Sequence, residues 1–467
     1  MNVREIADLG PDDRRALFDR DAGIEEVRED VRDIVSRVRE EGDVAVREFC
    51  EEFDGVSVGN LEITDAAERA YDELDDEMRE TIETAAENVR EFHEAQLPED
   101  WRREFSSGRE LGRRFRPLER VGVYVPGGAA AYPSSALMGI IPATVAGVEQ
   151  VAVATPPADE MNPVTLAAIH AAGADAVFNV GGAQAVAALA YGTEQIDRVQ
   201  KIVGPGNKWV TAAKAEVQGD VAIDFLAGPS EVLVLADDTA DPRLVAADLL
   251  AQAEHDPEAS VVAVTDDRQT AEEIAERVEA QLPERERADI ARQALDGDAS
   301  GVFLARSPSE AVLLAEEYAA EHLSIQAEDD EEILDRIDSA GSVFLGPFTP
   351  VAAGDYASGT NHVLPTNGLA KITGGLSVDT FLRETTVQRL DEGGLSDLSE
   401  TITTLAEAEG FWYNPNIHPL IEFRRRLKAL KVLQERIPVE ILYEEEYGLR
   451  RFLETVGWRE GHRCGDC

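Results

Sequence analysis

The chain has 467 residues, 43% of them hydrophobic, and a formal net charge of −49 at pH 7. This length predicts more than one domain, and this hydrophobic content excludes a fully disordered chain. No apolar run approaches the ~20 residues that span a membrane, and the first residues lack the segments of a signal peptide. We therefore expect a cytoplasmic protein with no membrane partner.

The charge is divided unevenly at about residue 410. The first 410 residues carry 34 Lys and Arg against 84 Asp and Glu, whereas residues 411–467 carry 10 against 9. A surface this acidic repels itself unless salt screens it, and the Debye length falls to ~3 Å at ~1 M salt. These numbers predict a salt-adapted protein with no nucleic-acid partner, because polyanions require basic patches. Cys50, the single cysteine before residue 411, favours a reducing compartment.

Periodic patterns, taken in chain order, predict an α/β fold with two Rossmann-like halves. Residues 1–115 have the polar and apolar periodicity of helices. Apolar runs separated by helical stretches then predict two doubly wound parallel sheets. The predicted strands of the first are 121–125, 151–155, 176–180 and 201–203, and those of the second are 232–235, 260–265, 301–305, 323–326 and 342–345. Residues 376–410 are predicted to form a helical arm.

Three glycine-rich turns each follow a predicted strand and open a helix. They are Gly127-Gly128, Gly181 through Gln184, and Gly204 through Asn207. This geometry presents backbone N–H groups to a phosphate, although none of the turns matches the G-x-G-x-x-G fingerprint. Ordinary tight turns explain them equally well. Gly228 through Glu231 could form a further turn that presents the Ser230 hydroxyl to a ligand.

Polar segments with histidine predict a metal-assisted site. Gln252 and His255 lie three residues apart late in a predicted helix, so they share one face, and Asp355 could complete a divalent-ion site. Glu321-His322 lies where a helix enters a strand, and the two side chains could activate a water and shuttle protons. A polar helix cap in the first case, and an exposed Glu beside a capping His in the second, are the structural alternatives.

Taken together, these segments resemble the histidinol dehydrogenase family over roughly residues 1–410. The order and spacing of the matching motifs fit that family. The motifs are Tyr124-Val125-Pro126-Gly127-Gly128, Gly182-Ala183-Gln184-Ala185, Val203 through Asn207, Ala227 through Val232, Gln252-Ala253-Glu254-His255, Glu321-His322-Leu323 and Gly354 through Thr366.

The resemblance implies a zinc-dependent homodimer that oxidises L-histidinol through an aldehyde to L-histidine and reduces two NAD⁺. It implies that Glu321 and His322 are the catalytic acid–base pair. The other implied contacts are Tyr124, Gln184 and Asn207 for NAD; Gln252, His255 and Asp355 for zinc; and Ser230, Gln252, His255, His322, Asp355 and Glu409 for substrate. The implied domains are a helical arm (1–20), a zinc-binding and catalytic domain (21–118 with 236–375), an NAD-binding domain (119–235) and the helical arm 376–410.

The sequence departs from the family after Gly410. The family places a histidine zinc ligand five residues after the glutamate that corresponds to Glu409, and here that position is Asn414. A neutral amide binds zinc less well than imidazole, and His418 could replace it only if the arm repacked. Residues 411–467 instead resemble an internal piece of the iron–sulfur epoxyqueuosine reductase family. Cys464 and Cys467 alone cannot complete a four-cysteine cluster, so we expect no tRNA-modifying activity.

The simplest synthesis is an acidic histidinol dehydrogenase joined near Gly410 to foreign sequence, which would impair zinc binding and dimer closure. Two other classes of function remain open at this point. One is a catalytically silent dimeric scaffold that retains NAD or zinc sites. The other is a metal-dependent hydrolase, which Glu321, His322 and a zinc site would permit, although the three NAD-type turns argue against it.

Overall fold

The computed structural model describes residues 1–18, 20, 23–127 and 131–409, which divide into two compact units. The first unit comprises residues 1–99 with 115–384, and the second comprises residues 100–114 with the chain from residue 385 onward. Gly128, Asn414, His418 and the two cysteines of the tail, about which the sequence made predictions, lie outside the described residues.

Helices and strands alternate along most of the described chain. Before residue 100 the elements are β1 (Val3–Glu5), α1 (Pro11–Phe18), α2 (Ile24–Glu41), α3 (Asp43–Asp54), α4 (Thr64–Asp72) and α5 (Asp76–Glu94). Residues 101–223 form β2 (Trp101–Ser106), β3 (Arg109–Pro117), β4 (Arg120–Tyr124), α6 (Pro133–Ala146), β5 (Gln150–Thr155), α7 (Pro163–Ala172), β6 (Ala176–Asn179), α8 (Gly182–Tyr191), β7 (Lys201–Val203), α9 (Lys208–Val217) and β8 (Ala222–Ile223).

The remaining elements of the described chain lie after residue 230. They are β9 (Glu231–Ala236), α10 (Pro242–Ala253), β10 (Ser260–Thr265), α11 (Arg268–Gln281), α12 (Ala288–Asp296), β11 (Gly301–Leu304), α13 (Pro308–Tyr318), β12 (His322–Gln326), α14 (Asp330–Leu334), β13 (Ser342–Leu345), α15 (Val351–Tyr356), β14 (Leu382–Leu390) and α16 (Glu392–Ala408). No helix among the described residues is long and apolar enough to cross a membrane.

The first unit contains two parallel sheets, as the sequence predicted. One has five strands in the order β6-β5-β4-β7-β8, and the other has six in the order β1-β11-β10-β9-β12-β13. In the five-stranded sheet the chain starts at the central strand β4, builds outward through β5 and β6, and then crosses to β7 and β8. In the six-stranded sheet β1 lies at one edge; from the central strand β9 the chain builds outward through β10 and β11 to meet β1, and then crosses to β12 and β13. The crossing points lie between β4 and β7 and between β9 and β12, and each is the topological switch point of a doubly wound sheet.

Apolar side chains alternate along the central strands, because both faces of each sheet are covered by helices. In β9, Val232 and Val234 join the core beneath α10 to α12, whereas Leu233 and Leu235 join the core beneath α13. In the other sheet, Val121 and Val123 of β4 face the side covered by α6 and α7. This two-sided burial explains why the strands read as continuous apolar runs.

The helices of residues 24–94 pack on the five-stranded sheet. The core on one face of that sheet includes α2 and α3 together with α8 and α9, and the core on the other face includes α4 and α5 together with α6 and α7. This packing differs from the predicted grouping of residues 21–118 with residues 236–375. The β9 strand, which begins at Glu231, belongs to the six-stranded sheet, so that sheet starts before residue 236.

Three segments predicted as helical contain strands. Val3–Glu5 forms β1 and pairs in parallel with β11. β2 and β3 form an antiparallel hairpin, and β14 occupies Leu382–Leu390 of the predicted helical arm. Among the described residues after β14, α16 is helical. These strands contain few buried residues, and in β2 every side chain is exposed. Burial periodicity therefore carried no signal for them.

Candidate active site

The amino ends of two neighbouring strands place Glu321 and His322 beside Glu231. His322 begins β12 and Glu231 begins β9, and the two strands pair in parallel from His322 and Val232 onward. The Glu231 N–H donates to Glu321 Oε2 at 2.8 Å, and His322 Nδ1 lies 3.0 Å from the Glu231 carbonyl oxygen. Ser230, half-buried, immediately precedes this strand. The predicted Glu-His pair therefore lies at a strand beginning, not at the carboxyl edge where doubly wound sheets usually bind ligands.

The His322 ring lies between two carboxylates. Its Nε2 is 3.3 Å from Asp355 Oδ1, and its Nδ1 is 3.5 Å from Glu321 Oε2. Burial by itself lowers the pKa of His322, but Glu321 and Asp355 outweigh it and raise this pKa well above its usual value. Nε2 is buried and makes no hydrogen bond of good geometry with the described residues. A buried nitrogen in this state is a candidate contact for a substrate oxygen.

Asp355, on the short helix α15, is surrounded by imidazoles. Burial would raise its pKa, but His322, His362 and His255 together hold it below its usual value. Asp355 is therefore a carboxylate at neutral pH. Asp248, one turn before Gln252, lies close enough to be influenced by it, and burial raises the pKa of Asp248 to about 6.

His362 joins this cluster through contacts that the sequence analysis did not predict. Its Nδ1 lies 3.0 Å from the Asp355 carbonyl oxygen, and its Nε2 lies 3.2 Å from Ser135 Oγ of α6. Burial lowers the pKa of His362, so the ring is neutral and its Nδ1–H donates to the carbonyl. Only its place in the segment that begins at Gly354 hinted at a role. The Ser135 contact comes from 227 residues away in sequence.

Gln252 and His255 occupy the end of α10 in slightly different ways. Gln252 lies within the helix and is buried, whereas His255 is exposed in the turn after Ala253, with its N–H donating to the Gln252 carbonyl oxygen. The spacing had predicted that both residues are helical, but only Gln252 is. His255 still lies close enough to Asp355 to lower its pKa.

The residues predicted to bind zinc match that ion in their donor chemistry. Imidazole and carboxylate groups are common zinc ligands, and the Gln252 amide would add an oxygen donor. Across the described residues, no group of three or more His, Cys, Asp or Glu side chains is arranged to hold a metal ion. Gln252 is not among these residue types, and position 414 lies outside the described chain. The zinc ligands therefore stay a prediction.

The carboxyl edge of the five-stranded sheet gathers the predicted NAD contacts. Tyr124 ends β4 and is buried, and its hydroxyl accepts the Gly182 N–H at 3.1 Å. Gln184 lies buried in the first turn of α8. Asn207 caps α9, where its Oδ1 accepts the N–H groups of Trp209 and Val210 at 3.1 and 3.2 Å. Burial raises the pKa of Tyr124 to about 12, so this phenol stays protonated at neutral pH.

The turns of this edge approach one another through their backbones. Gly204 follows β7 with φ +112°, and a Cβ there would collide with the Tyr124 carbonyl oxygen. A Cβ at Gly181 would meet Pro156 at 2.6 Å. The close approach lies at the switch point between β4 and β7, where an open α/β sheet forms a crevice for a dinucleotide. The arrangement fits NAD without the usual glycine fingerprint.

Glu409 lies in the second unit, exposed, just beyond the end of α16. Asn414 and His418, which the sequence analysis weighed as zinc ligands, lie outside the described residues.

Comparisons with known proteins match two parts of the chain to different families. Residues 19–416 match the family model described as Histidinol dehydrogenase, and residues 395–467 match the one described as Epoxyqueuosine reductase QueH. The two matches overlap at the region where the charge changes. They agree with the two resemblances that the sequence motifs carried.

Individual relatives cover nearly the full length of the first match. Histidinol dehydrogenase of Haloarcula marismortui is 74% identical over 410 residues, which are 88% of this chain and 97% of that protein. The Halobacterium salinarum protein of the same name is 72% identical over 410 residues, 88% of this chain and 96% of its own. The crystal structure of histidinol dehydrogenase from Elizabethkingia anophelis superposes with a TM-score of 0.82 at 39% identity, covering 87% of this chain and 93% of that one.

Proposed function

The chain belongs to the histidinol dehydrogenase family, an NAD-dependent class of oxidoreductases, and from this premise we propose that it oxidises L-histidinol through L-histidinal to L-histidine with reduction of two NAD⁺. One observation carries the proposal. The buried Glu321–His322 pair faces Asp355, and His322 Nε2 is left without a hydrogen bond among the described residues. An alcohol that loses a hydride must also lose its hydroxyl proton, and this nitrogen is placed to accept it.

The two halves of the reaction each require a proton transfer, the first to His322 and the second to Glu321. In the first half, neutral His322 accepts the alcohol proton as a hydride leaves the same carbon. In the second, a water adds to the aldehyde, and Glu321 accepts a proton from that water before the second hydride leaves. Both side chains are buried, which keeps their protons from exchanging freely with solvent. We propose that Ser230 and Glu409 contact the substrate.

We propose that Gln252, His255 and Asp355 hold zinc. When bound, zinc would orient the imidazole and amino groups of the substrate and supply Lewis acidity beside the reacting carbon. The support is the donor chemistry of these three residues and the electrostatic closeness of His255 to Asp355. Asp355 is a carboxylate at neutral pH, which is the form that coordinates a metal.

We propose that Tyr124, Gln184 and Asn207 contact NAD, which when bound accepts the hydride. The support is their convergence at the switch point of the five-stranded sheet. Asn207 already uses its Oδ1 to cap α9, so its amide nitrogen is the group that remains to donate to the cofactor.

We also propose a reducing, cytoplasmic location, which the single cysteine before residue 411 supports.

We propose a homodimer in which the chain beyond α16 completes the active site of the partner subunit. In this chain the segment after Gly410 lies within the match to another family, and Asn414 stands where the resemblance implies a zinc-binding histidine. We therefore propose that the activity of this chain is impaired relative to a version with Asn414→His. A catalytically silent scaffold is the limiting case of the same defect.

The test is NADH formation from L-histidinol with added zinc in molar KCl, measured beside Asn414→His. Turnover by the parent chain supports the proposed reaction and shows that the site works without the usual fourth ligand. Silence in the parent with activity in the variant supports the reaction and identifies the missing ligand. Silence in both overturns the proposed activity for this chain and leaves the scaffold.

A further inference from the structure

Glu231 contacts both members of the proposed acid–base pair through its main chain. Its N–H donates to Glu321 Oε2 at 2.8 Å, and its carbonyl oxygen lies 3.0 Å from His322 Nδ1. The second contact fixes the tautomer of the neutral ring, because Nδ1 must carry the proton to donate to a carbonyl, which leaves Nε2 as the acceptor once the imidazolium has lost its other proton. Any displacement of Glu231 therefore moves the Glu321 carboxylate and the His322 ring together.

The Glu231 side chain is anchored by donors from three other segments. Its Oε2 accepts from Arg20 Nη1 at 2.9 Å and from the Glu321 N–H at 3.4 Å, and its Oε1 accepts the Asn367 N–H at 2.7 Å. These partners all donate, so the site requires a carboxylate that accepts at both oxygens. A glutamine would turn an NH₂ group toward at least one of these donors.

Arg20 completes the arrangement. It is buried, donates through Nη2 to the Tyr318 carbonyl oxygen at 2.8 Å, and stacks over the Tyr318 ring at 3.8 Å from the ring centroid. Glu231 is 1% exposed and Glu321 is 6% exposed, so two acidic side chains share this interior. Burial raises the pKa of Glu231 to about 7, and Arg20 opposes that rise. Breaking a buried pair of this kind leaves a charge with no partner.

We propose that Glu231, held by Arg20, is a positioning residue that sets the location of the Glu321 carboxylate and the His322 ring for the reaction. The inference rests on the proposed function, because it assumes that this pair moves protons. It concerns a carboxylate and a guanidinium that take no part in the chemistry described above. A small misplacement of a catalytic group is enough to cost ~10²-fold in rate.

The test compares Glu231→Gln with Asp43→Asn in molar KCl. Asp43 is a matched control, because it is a buried carboxylate whose partners, Arg47 and Gln195, also donate. We expect Glu231→Gln to lower kcat by about tenfold to 10²-fold with both KM values within about threefold, since the loss falls on the reacting geometry. Asp43→Asn should keep kcat within about twofold although it too destabilises the fold. Parent-like kcat in Glu231→Gln, or an equal loss in Asp43→Asn, overturns the proposal.

Substitutions of Arg20 test the second half of the proposal. Arg20→Lys cannot donate through a fork to both Glu231 and the Tyr318 carbonyl, so its kcat should fall below that of the parent. Because it keeps a compensating charge, its kcat should fall less than that of Arg20→Met. The double variant Arg20→Met with Glu231→Gln should be no slower than Arg20→Met, because the two residues act as one unit. If the two single-variant losses in kcat multiply in the double variant, Arg20 and Glu231 do not act as one unit.

Hydrogen exchange provides a readout that does not need turnover. Peptides that cover residues 319–326 should exchange faster in Glu231→Gln and Arg20→Met than in the parent, and at the parent rate in Asp43→Asn, because only the first two lose the anchor at Glu321. If the parent chain forms no NADH, the proposed function fails on its own measurement, and this exchange pattern still decides the positioning role. Unchanged exchange in both variants overturns it.

Discussion

The two sheets of the first unit use opposite ends of their strands. In the five-stranded sheet, the proposed NAD contacts lie at the carboxyl edge, where β4 and β7 meet. In the six-stranded sheet, Glu321 and His322 lie at the amino end of β12, beside the start of β9. Backbone groups at glycine turns dominate the first region, whereas buried side chains that carry charge dominate the second. On the proposed assignments, the NAD contacts follow the usual rule that ligands bind at the carboxyl edge of an α/β sheet, whereas the proposed acid–base pair does not.

Substitution of His322 should change turnover strongly and NAD affinity little, so it distinguishes the two regions most clearly. His322→Gln removes the proposed proton acceptor, and we expect kcat to fall about 10²- to 10⁴-fold. NAD affinity, measured by calorimetry, should stay within about twofold of the parent value, because His322 does not lie at the carboxyl edge of the five-stranded sheet. His170→Gln is the control, since His170 is only partly buried and packs on Tyr71. A parent-like kcat would assign the proton transfer to another group.

A glycine substitution tests the cofactor region in the same way. Gly204→Ala places a Cβ against the Tyr124 carbonyl oxygen at φ +112°, a conformation that costs a side-chain residue ~1–3 kcal/mol. We expect the KM for NAD to rise about tenfold, with kcat at saturating NAD within about threefold. Gly219→Ala is the control, because a Cβ there meets no atom within 4 Å. A loss confined to kcat would show that the two regions are not separable.

The pH dependence sharpens the same contrast. The pKa of His322 is raised above 6.5, so below that raised pKa the ring is mostly imidazolium and cannot accept a proton. The neutral fraction rises about tenfold per pH unit until the pKa is passed, and kcat/KM for histidinol should rise with it. NAD affinity should stay flat over the same range, since Tyr124 titrates only near 12. An activity limb with its midpoint at or below pH 6.5 would contradict the raised value.

The smallest expected effect on turnover concerns the support of the Gly204 turn. Lys214 and Asp224 form a buried ion pair at 2.7 Å, and they bind the Gly204 carbonyl and N–H respectively. Lys214→Met leaves a buried carboxylate unpaired, at a cost of ~3 kcal/mol in the free energy of unfolding. We expect the KM for NAD to rise about threefold with the KM for histidinol unchanged. Thermal unfolding and steady-state kinetics check the two parts, and an altered histidinol KM alone would argue against this role.

The sequence predicted most of the two parallel sheets, because their strands are buried on both faces and read as apolar runs. Lys201–Val203, Ser260–Thr265 and Ser342–Leu345 were predicted with the bounds that the structure shows. The hairpin of β2 and β3 was missed, since β2 is fully exposed and the partly buried, arginine-rich β3 shows no alternation of buried and exposed residues. The packing of α2 to α5 was also assigned differently, because an amphipathic helix does not record which sheet its apolar stripe will meet.

The candidate site divides in the same way. Motif order and spacing were enough to single out Glu321, His322 and Asp355, whose proximity the structure shows. The supports around them come from residues far away in sequence, such as Ser135 beside His362 and Arg20 beside Glu231. Neither Ser135 nor Arg20 belongs to one of the motifs. An arginine before a helix looks like any other solvated charge until its burial is known.

The family, the acidic character, the alternation of strands and helices, and the residue types available for chemistry all follow from the amino-acid sequence, since they are local or compositional. Which strand ends meet and which charges are buried together depend on how distant segments pack. A pKa depends on neighbours brought from distant segments, as for His322 between Glu321 and Asp355. Packing created that environment, because strand pairing brings β9 and β12 side by side although 85 residues separate the end of one from the start of the other.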